Sequence, residues 1–260
     1  MHHLALGYTK QLSVSVCVFG CRWKMIDKHK VLMLADPERI FEKGLETQNY
    51  SEALFNHEKA LEIYESHSLS AYNHCHEKAV ILQGIAYVHL LTENYELALV
   101  NYKNALTIGL TAPQIISTSN IIGLLYKNQF KNYSEALSYC EKALEMYENS
   151  LTHYTIAEIL YNIGTVHHER KDYELAMFNY KKALSIQLTC LPVNHTGIAN
   201  TYYRIGIVQQ VLQNYCEALI NYKKALSIKL KYLSSDDTDI ADFYISVAIT
   251  QSNKKIIFEH

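Results

Sequence analysis

Glycine and proline, the two residues that interrupt regular structure, are both scarce in this chain. Among 260 residues there are 9 glycines and 3 prolines, against an average usage of about 7% and 5%. This shortage argues against sandwiches, barrels, collagen-like chains and Pro/Gly-rich disorder, because those classes need many turns or a glycine repeat. We therefore expect long, uninterrupted helices.

An excess of charge of one sign is also absent. The chain carries 24 Lys and Arg against 26 Asp and Glu, a formal net charge of −2, which gives no broad positive surface for nucleic acid or an anionic membrane. No run of 18 apolar residues predicts a transmembrane helix. The six cysteines form no Cys-x-x-Cys pair, which is typical of reduced thiols in the cytosol. We expect no nucleic-acid partner, no membrane partner and a cytoplasmic location.

Motifs for catalysis or cofactor binding are missing as well. The sequence has no phosphate-binding Gly-x-x-x-x-Gly-Lys-Ser/Thr loop, no Gly-x-Gly-x-x-Gly and no Gly-x-Ser-x-Gly. Two histidine groups, His74 with His76 and His167 with His168, invite a metal interpretation. Their spacing places the side chains on different faces of a helix, however, so we interpret them as polar surface residues. The sequence predicts no enzyme activity, no catalytic residue, no cofactor and no metal.

Tyrosine, in contrast, is abundant, and its distribution reveals an internal repeat. Of the 21 tyrosines, five open blocks that share an alanine three residues later and a closing Ala-Leu pair. The blocks read YSEALFNHEKAL, YELALVNYKNAL, YSEALSYCEKAL, YELAMFNYKKAL and YCEALINYKKAL, and they begin at Tyr50, Tyr95, Tyr133, Tyr173 and Tyr215. Chance does not produce five such matches in one chain.

A second apolar segment precedes each block and contains a glycine. Gly164 and Gly206 lie nine residues before their tyrosines, and Gly123 and Gly84 lie ten and eleven residues before theirs. The apolar positions of both segments follow the period of a helix. We predict two helices per repeat, with all four glycines allowing the same close approach of the second helix of the pair.

This pattern resembles the tetratricopeptide repeat, which has Leu-Gly-x-x-Tyr on its first helix and Tyr-x-x-Ala-x-x-x-Tyr-x-x-Ala-Leu on its second. The segments LPVNHTGIANTYYRIG and LSSDDTDIADFYISVA are similar to the repeats of kinesin light chains. The resemblance covers about residues 36–250. It implies an all-α, right-handed superhelical solenoid of antiparallel helix pairs.

The repeats divide the chain into a leader, an array and a tail. We expect a poorly ordered leader over residues 1–35, an array over 36–252 and a tail over 253–260. The predicted repeats are 36–66, 72–110, 114–150, 156–190 and 198–233, followed by a terminal helix over 239–252. Residues 12–19 alternate like a strand, although no other segment of the chain offers a partner strand.

In this family the first helix of each pair lines the concave side, so the resemblance implies a peptide-binding groove there. Counting from the glycines, the candidate groove residues are Asn120, Lys127, Asn128, Tyr161, Asn162, Thr165, His168, Tyr203, Arg204, Ile207 and Gln210.

The function that follows is a non-catalytic scaffold or adaptor, similar to the cargo-binding repeats of kinesin light chains, that holds a peptide or helix of a protein partner. The alternative is a module of a larger multidomain enzyme or signalling protein whose catalytic domain lies outside this chain. Residues 240–250 repeat a first helix with an apolar outer face, and we expect this edge to be covered either by further repeats of a longer array or by self-association with another copy of the chain. The identity of the partner is not encoded in these patterns.

Overall fold

The computed structural model of the chain describes residues 50–66, 75–146, 153–193, 195–231 and 238–258. The regular elements within these ranges are all α-helices. None of them is long and apolar enough to cross a lipid bilayer. The chain divides into two compact units, Met1–Leu110 and Thr111–His260.

The first unit contains three described helices. They are α1 (Tyr50–Ser66), α2 (Cys75–Leu91) and α3 (Tyr95–Ile108). Helix α2 packs against both of the others, and it is the most apolar of the three because it is covered on two sides. The core between them consists of Ala60, Ala79, Ile81, Leu82, Ile85 and Ala105.

The second unit contains seven helices in its described part. They are α4 (Ala112–Asn128), α5 (Tyr133–Glu145), α6 (His153–Glu169), α7 (Tyr173–Cys190), α8 (Thr196–Val211), α9 (Tyr215–Lys229) and α10 (Thr238–Phe258). Helices α4 and α5, α6 and α7, and α8 and α9 form tight pairs, and the second helix of each pair packs on the first helix of the next. This stacking is necessary because one helix pair cannot bury both of its apolar faces.

The turns within the four described pairs each contain a residue of positive φ that is not glycine. It lies two positions before Tyr95, Tyr133, Tyr173 and Tyr215 and has a φ of 53–66°; these residues are Glu93, Lys131, Lys171 and Gln213. In three turns the following Asn or Asp donates its backbone N–H to a carbonyl five residues earlier, which is the Schellman closure of a helix. The α4–α5 turn spans six residues instead. That extra residue accounts for the longer spacing from Gly123 to Tyr133.

Three of the four glycines allow the close approach expected of them. A Cβ added at Gly164 would lie 2.8 Å from the ring of Tyr180, and one at Gly206 would lie 2.6 Å from the ring of Tyr222. At Gly123 the nearest atom would be the Sγ of Cys140, at 2.7 Å. Each of these contacts joins the two helices of one pair.

Gly84 was predicted to do the same, and this prediction is wrong. A Cβ there would lie 2.6 Å from the ring of His57 in α1, not against α3. Gly84 precedes its tyrosine by eleven residues instead of nine. Two extra residues turn a position by about 200° around a helix, so Gly84 faces the preceding helix.

The expected all-α architecture of antiparallel pairs is confirmed in each unit. The terminal helix is longer than predicted: α10 continues to Phe258, so residues 253–258 are helical and do not form a tail. The predicted leader over 1–35, the strand over 12–19 and the start of the first repeat lie outside the described residues.

Candidate partner-binding face

The predicted groove residues all lie on α4, α6 and α8, the first helices of the three pairs in the second unit. We call the surface formed by these helices the A-helix face. Equivalent positions on neighbouring first helices are about 42 residues apart in sequence. The structure joins predicted groove residues of neighbouring first helices by side-chain hydrogen bonds across 38 to 43 residues of sequence, so the A-helix face is a connected polar layer.

The amides of this layer are internal. Asn162 Nδ2 donates to Asn120 Oδ1 over 2.9 Å, and both side chains are buried, with 6% and 9% exposed. Thr165 is buried too, and its hydroxyl donates to the carbonyl of Asn162 over 2.7 Å. These three residues therefore connect α4 to α6 and present little surface to a partner.

Two cationic side chains converge on α6 from its two neighbours. Lys127 of α4 donates to Thr165 Oγ1 over 3.4 Å, and Arg204 Nε of α8 donates to Tyr161 Oη over 3.3 Å. Thr165 and Tyr161 are one helical turn apart on α6. Both cations are half-buried, and His168 lies on the same face near the end of α6. The structure thus brings five of the predicted residues into one group.

The charges in this group oppose one another. Burial lowers the pKa of Lys127 to about 8, and the positive charge of Arg204 contributes in the same direction. The pKa of His168 is lowered as well, first by burial and then by Arg204. Glu169 acts in the opposite sense on both. Among the described residues, no carboxylate lies within ion-pair distance of Lys127 or Arg204.

A buried hydroxyl without a partner lies beneath this group. Tyr180 of α7 is fully buried, its ring packs on Tyr161 at 5.6 Å between centroids, and its Oη has no hydrogen-bond partner among the described residues. The equivalent Tyr222 of α9 donates to Gln210 Oε1 over 2.7 Å. His168 occupies the position of Gln210, four residues after the glycine. The sequence analysis did not select Tyr180. The difference between Gln210 and His168 at equivalent positions of the two repeats could have indicated that the two tyrosine hydroxyls have different partners.

The remaining predicted residues lie beside this group. Tyr203 connects α8 to α10, because its hydroxyl is 3.0 Å from Ser246 Oγ and its ring lies 4.4 Å from that of Phe243. Ile207 is half-buried on α8, and Asn128 is exposed at the end of α4.

The sequence also suggested a metal interpretation and an apolar terminal helix. Across the part of the chain that the structure describes, no group of three His, Cys, Asp or Glu side chains could hold a metal ion. Helix α10 exposes about half of Tyr244, Ile245 and Ile249, which is the apolar surface expected for this helix.

Comparison with known proteins agrees with this architecture. Residues 114–189 match the family model of the tetratricopeptide repeat. No curated protein sequence matches the chain significantly.

Solved structures of tetratricopeptide repeat proteins superpose on most of the chain. BtubC (BKLC) from P. vanneervenii is 14% identical with a TM-score of 0.65, and the match covers 85% of each chain. The putative kinesin light chain repeats from Podosopora anserina are 13% identical with a TM-score of 0.63, covering 76% of this chain and 95% of that one. YrrB, a tetratricopeptide repeat protein with an unusual peptide-binding site, is 19% identical with a TM-score of 0.52, covering 74% and 84%.

At these identities the likeness establishes the fold, and the family's own sequence pattern is recognised within the second unit. Residues 114–189 therefore match the tetratricopeptide repeat family, and the fold of the chain is similar to that of solved tetratricopeptide repeat proteins, with a kinesin light chain-like array among its structural neighbours.

Proposed function

We propose that this protein is a non-catalytic interaction scaffold that binds a peptide or a helix of a protein partner on its A-helix face. The observation that carries the proposal is the group of polar and aromatic side chains that three helices bring together around Tyr161, Thr165 and Arg204. Arginine and tyrosine are the residue types most enriched among energetically dominant interface positions.

The fold supports the same function. Tetratricopeptide helix pairs stack into extended surfaces suited to binding other polypeptides, and a peptide-binding site is named for the structural neighbour YrrB. The A-helix face is also rigid, because bonds such as Asn162 to Asn120 hold its helices in register. A rigid surface loses little entropy when a partner binds.

A pair of matched substitutions tests which face binds. Peptides selected from a random library against the intact protein would be measured by calorimetry with Ile207→Glu and with Ile220→Glu. Ile207 is half-buried on α8 of the A-helix face, whereas Ile220 is 48% exposed on α9. We expect Ile207→Glu to weaken binding at least tenfold and Ile220→Glu to leave it unchanged. The reverse pattern would place the site on the second helices and contradict the proposal.

Self-association through α10 stays a prediction, supported by the exposure of Ile245 and Ile249. The measurement is light scattering on the full chain and on the double variant Ile245→Lys/Ile249→Lys. Concentration-dependent dimers that disappear in the variant would support self-association, and a monomer at all concentrations would contradict it. A cytoplasmic location and the absence of nucleic-acid partners also stay predictions.

A further inference from the structure

We propose that the A-helix face recognises a phosphate monoester on its partner, with Lys127, Arg204 and His168 around the phosphate. This inference rests on the proposed function, because the phosphate would belong to a phosphorylated side chain of the bound polypeptide. We call these three residues the basic cluster.

The first argument is geometric. The basic cluster is built from three consecutive first helices, so its members are held by the packing of the array and not by one flexible loop. Lys127 reaches Thr165 and Arg204 reaches Tyr161, which places the two cations on one turn of α6 from opposite sides. Only the Nε of Arg204 has a hydrogen-bond partner among the described residues. Its two terminal nitrogens are therefore free to bind oxygens of a ligand.

The second argument is the balance of charge. Lys127 and Arg204 are half-buried, and the pKa of Lys127 is lowered first by burial and then by the positive charge of Arg204. Glu169 favours the charged form of both, but it is exposed and lies beyond ion-pair distance of either. A phosphate monoester carries a charge of about −1.5 to −2 at pH 7 and three strong acceptor oxygens. It matches two fixed cations better than a carboxylate does, because a carboxylate carries one charge and two oxygens.

The third argument is the unpartnered hydroxyl of Tyr180. A buried polar group without a hydrogen bond is rare and requires an explanation. Burial raises the pKa of Tyr180, so the hydroxyl stays protonated and remains able to donate a hydrogen bond. In the α8–α9 pair the equivalent hydroxyl, that of Tyr222, donates to Gln210 within the folded chain. The unpartnered hydroxyl thus belongs to the helix that packs on α6, where the basic cluster converges, and its ring contacts Tyr161, the residue to which Arg204 donates.

The test uses small probes, since no partner is needed to detect the site. Inorganic phosphate, phenyl phosphate and benzoate would be titrated at pH 7.5 and constant ionic strength into the full chain, and the side-chain NMR signals of Lys127 and Arg204 would be followed. We expect saturable shifts with both phosphates and at least tenfold weaker binding of benzoate. Lys127→Met and Arg204→Gln should each weaken phosphate binding at least tenfold.

The matched control is Lys142→Met, which removes an exposed lysine from α5, and it should leave phosphate binding unchanged. Thermal unfolding of every variant shows whether it is folded. Non-saturable shifts, or equal losses in the control, would show only nonspecific attraction of anions. Equal affinity for benzoate and phenyl phosphate would assign the site to carboxylates. Either result overturns the phosphate inference.

The two proposals fail in different ways. Library peptides that bind the A-helix face without phosphate, and with unchanged affinity in Lys127→Met and Arg204→Gln, would refute the phosphate site and leave the scaffold function standing. The opposite outcome is that phosphate binds at the basic cluster but no peptide loses affinity in Ile207→Glu. That result would refute the scaffold function on the A-helix face and leave the phosphate site standing.

Discussion

The α6–α7 and α8–α9 pairs have nearly the same apolar packing. In each pair a glycine faces a tyrosine ring of the second helix, at 2.8 Å and 2.6 Å from the position of an added Cβ. That ring also contacts a tyrosine of the first helix, at centroid distances of 5.6 Å for Tyr161 with Tyr180 and 5.5 Å for Tyr203 with Tyr222. The repeat motif therefore determines how the helices pack.

The polar atoms of the two pairs differ. Tyr222 donates to Gln210, whereas Tyr180 has His168 at the equivalent position and no partner among the described residues. Arg204 and Lys127 donate to side chains of α6, while α10 contacts α8 through Ser246 and Phe243, both of which lie against Tyr203. Repeats of one chain can therefore keep one packing scheme and acquire different surface chemistry at a few positions.

The largest effect should come from filling the space at the glycines. Gly164→Val and Gly206→Val would each force a side chain into a fully buried tyrosine ring. We expect each variant to lose about 3 kcal/mol of stability, because overpacking a dense core is strongly destabilising. Thermal and urea unfolding would measure the loss, with Asn200→Val on the exposed side of α8 as the control. If only one glycine variant is destabilised, the two pairs do not share their packing.

The next effect concerns the amide pair that connects α4 and α6. Asn162→Ala removes the donor and leaves Asn120 Oδ1 buried without its partner. We expect a loss of about 2 kcal/mol, since an unsatisfied buried polar atom costs its desolvation energy. The double variant Asn120→Leu/Asn162→Leu should lose less stability than the sum of the losses in Asn120→Leu and Asn162→Leu, because neither of the two amides is then left unpaired. Strict additivity in urea unfolding would show that the two amides do not interact.

These two predictions also show how far the sequence alone could lead. The repeated tyrosines, glycines and alanines were sufficient to predict the helix pairs, because apolar packing repeats with the motif. The location of Asn120 and Asn162 in the interior was not predictable by counting from the glycine, since their burial depends on the neighbouring repeat. Gly84 was assigned to the wrong contact because it lies eleven residues before its tyrosine instead of nine, and the two extra residues turn it toward α1. The free hydroxyl of Tyr180 depends on which residue lies opposite it, and the motif does not specify that residue.

A smaller effect should appear as a pH dependence of stability that comes from Lys127, which donates to Thr165 of α6. The pKa of Lys127 falls from 10.5 to about 8 in the folded chain, through burial and then through Arg204. Between these values the unfolded chain binds more protons than the folded chain, so the contribution of Lys127 makes stability rise with pH through this window. The free energy of unfolding of Lys127→Met should therefore exceed that of the parent chain by about 1 kcal/mol at pH 7, and this gain should disappear above pH 10.5.

Urea unfolding of Lys127→Met and of the parent chain between pH 6.5 and 10.5 measures this difference. Lys142→Met, at an exposed position of α5, should show no change of this kind. A gain in Lys127→Met that stays constant over the whole range would show that Lys127 is not destabilised by its surroundings.

The smallest and most specific effect on stability comes from removing the buried tyrosine hydroxyl of the second helix in each pair. Tyr222→Phe removes the donor to Gln210 Oε1, and we expect a loss of about 1 kcal/mol, the usual net contribution of one hydrogen bond. Tyr180→Phe removes a buried hydroxyl that has no partner among the described residues, so it should be neutral or slightly stabilising. The measured quantity is the difference between the two variants in their loss of unfolding free energy. Effects that the two aromatic rings share cancel in this difference. Equal losses would mean that Tyr180 uses its hydroxyl within the folded chain, and the contrast between the two pairs would then be limited to their cations.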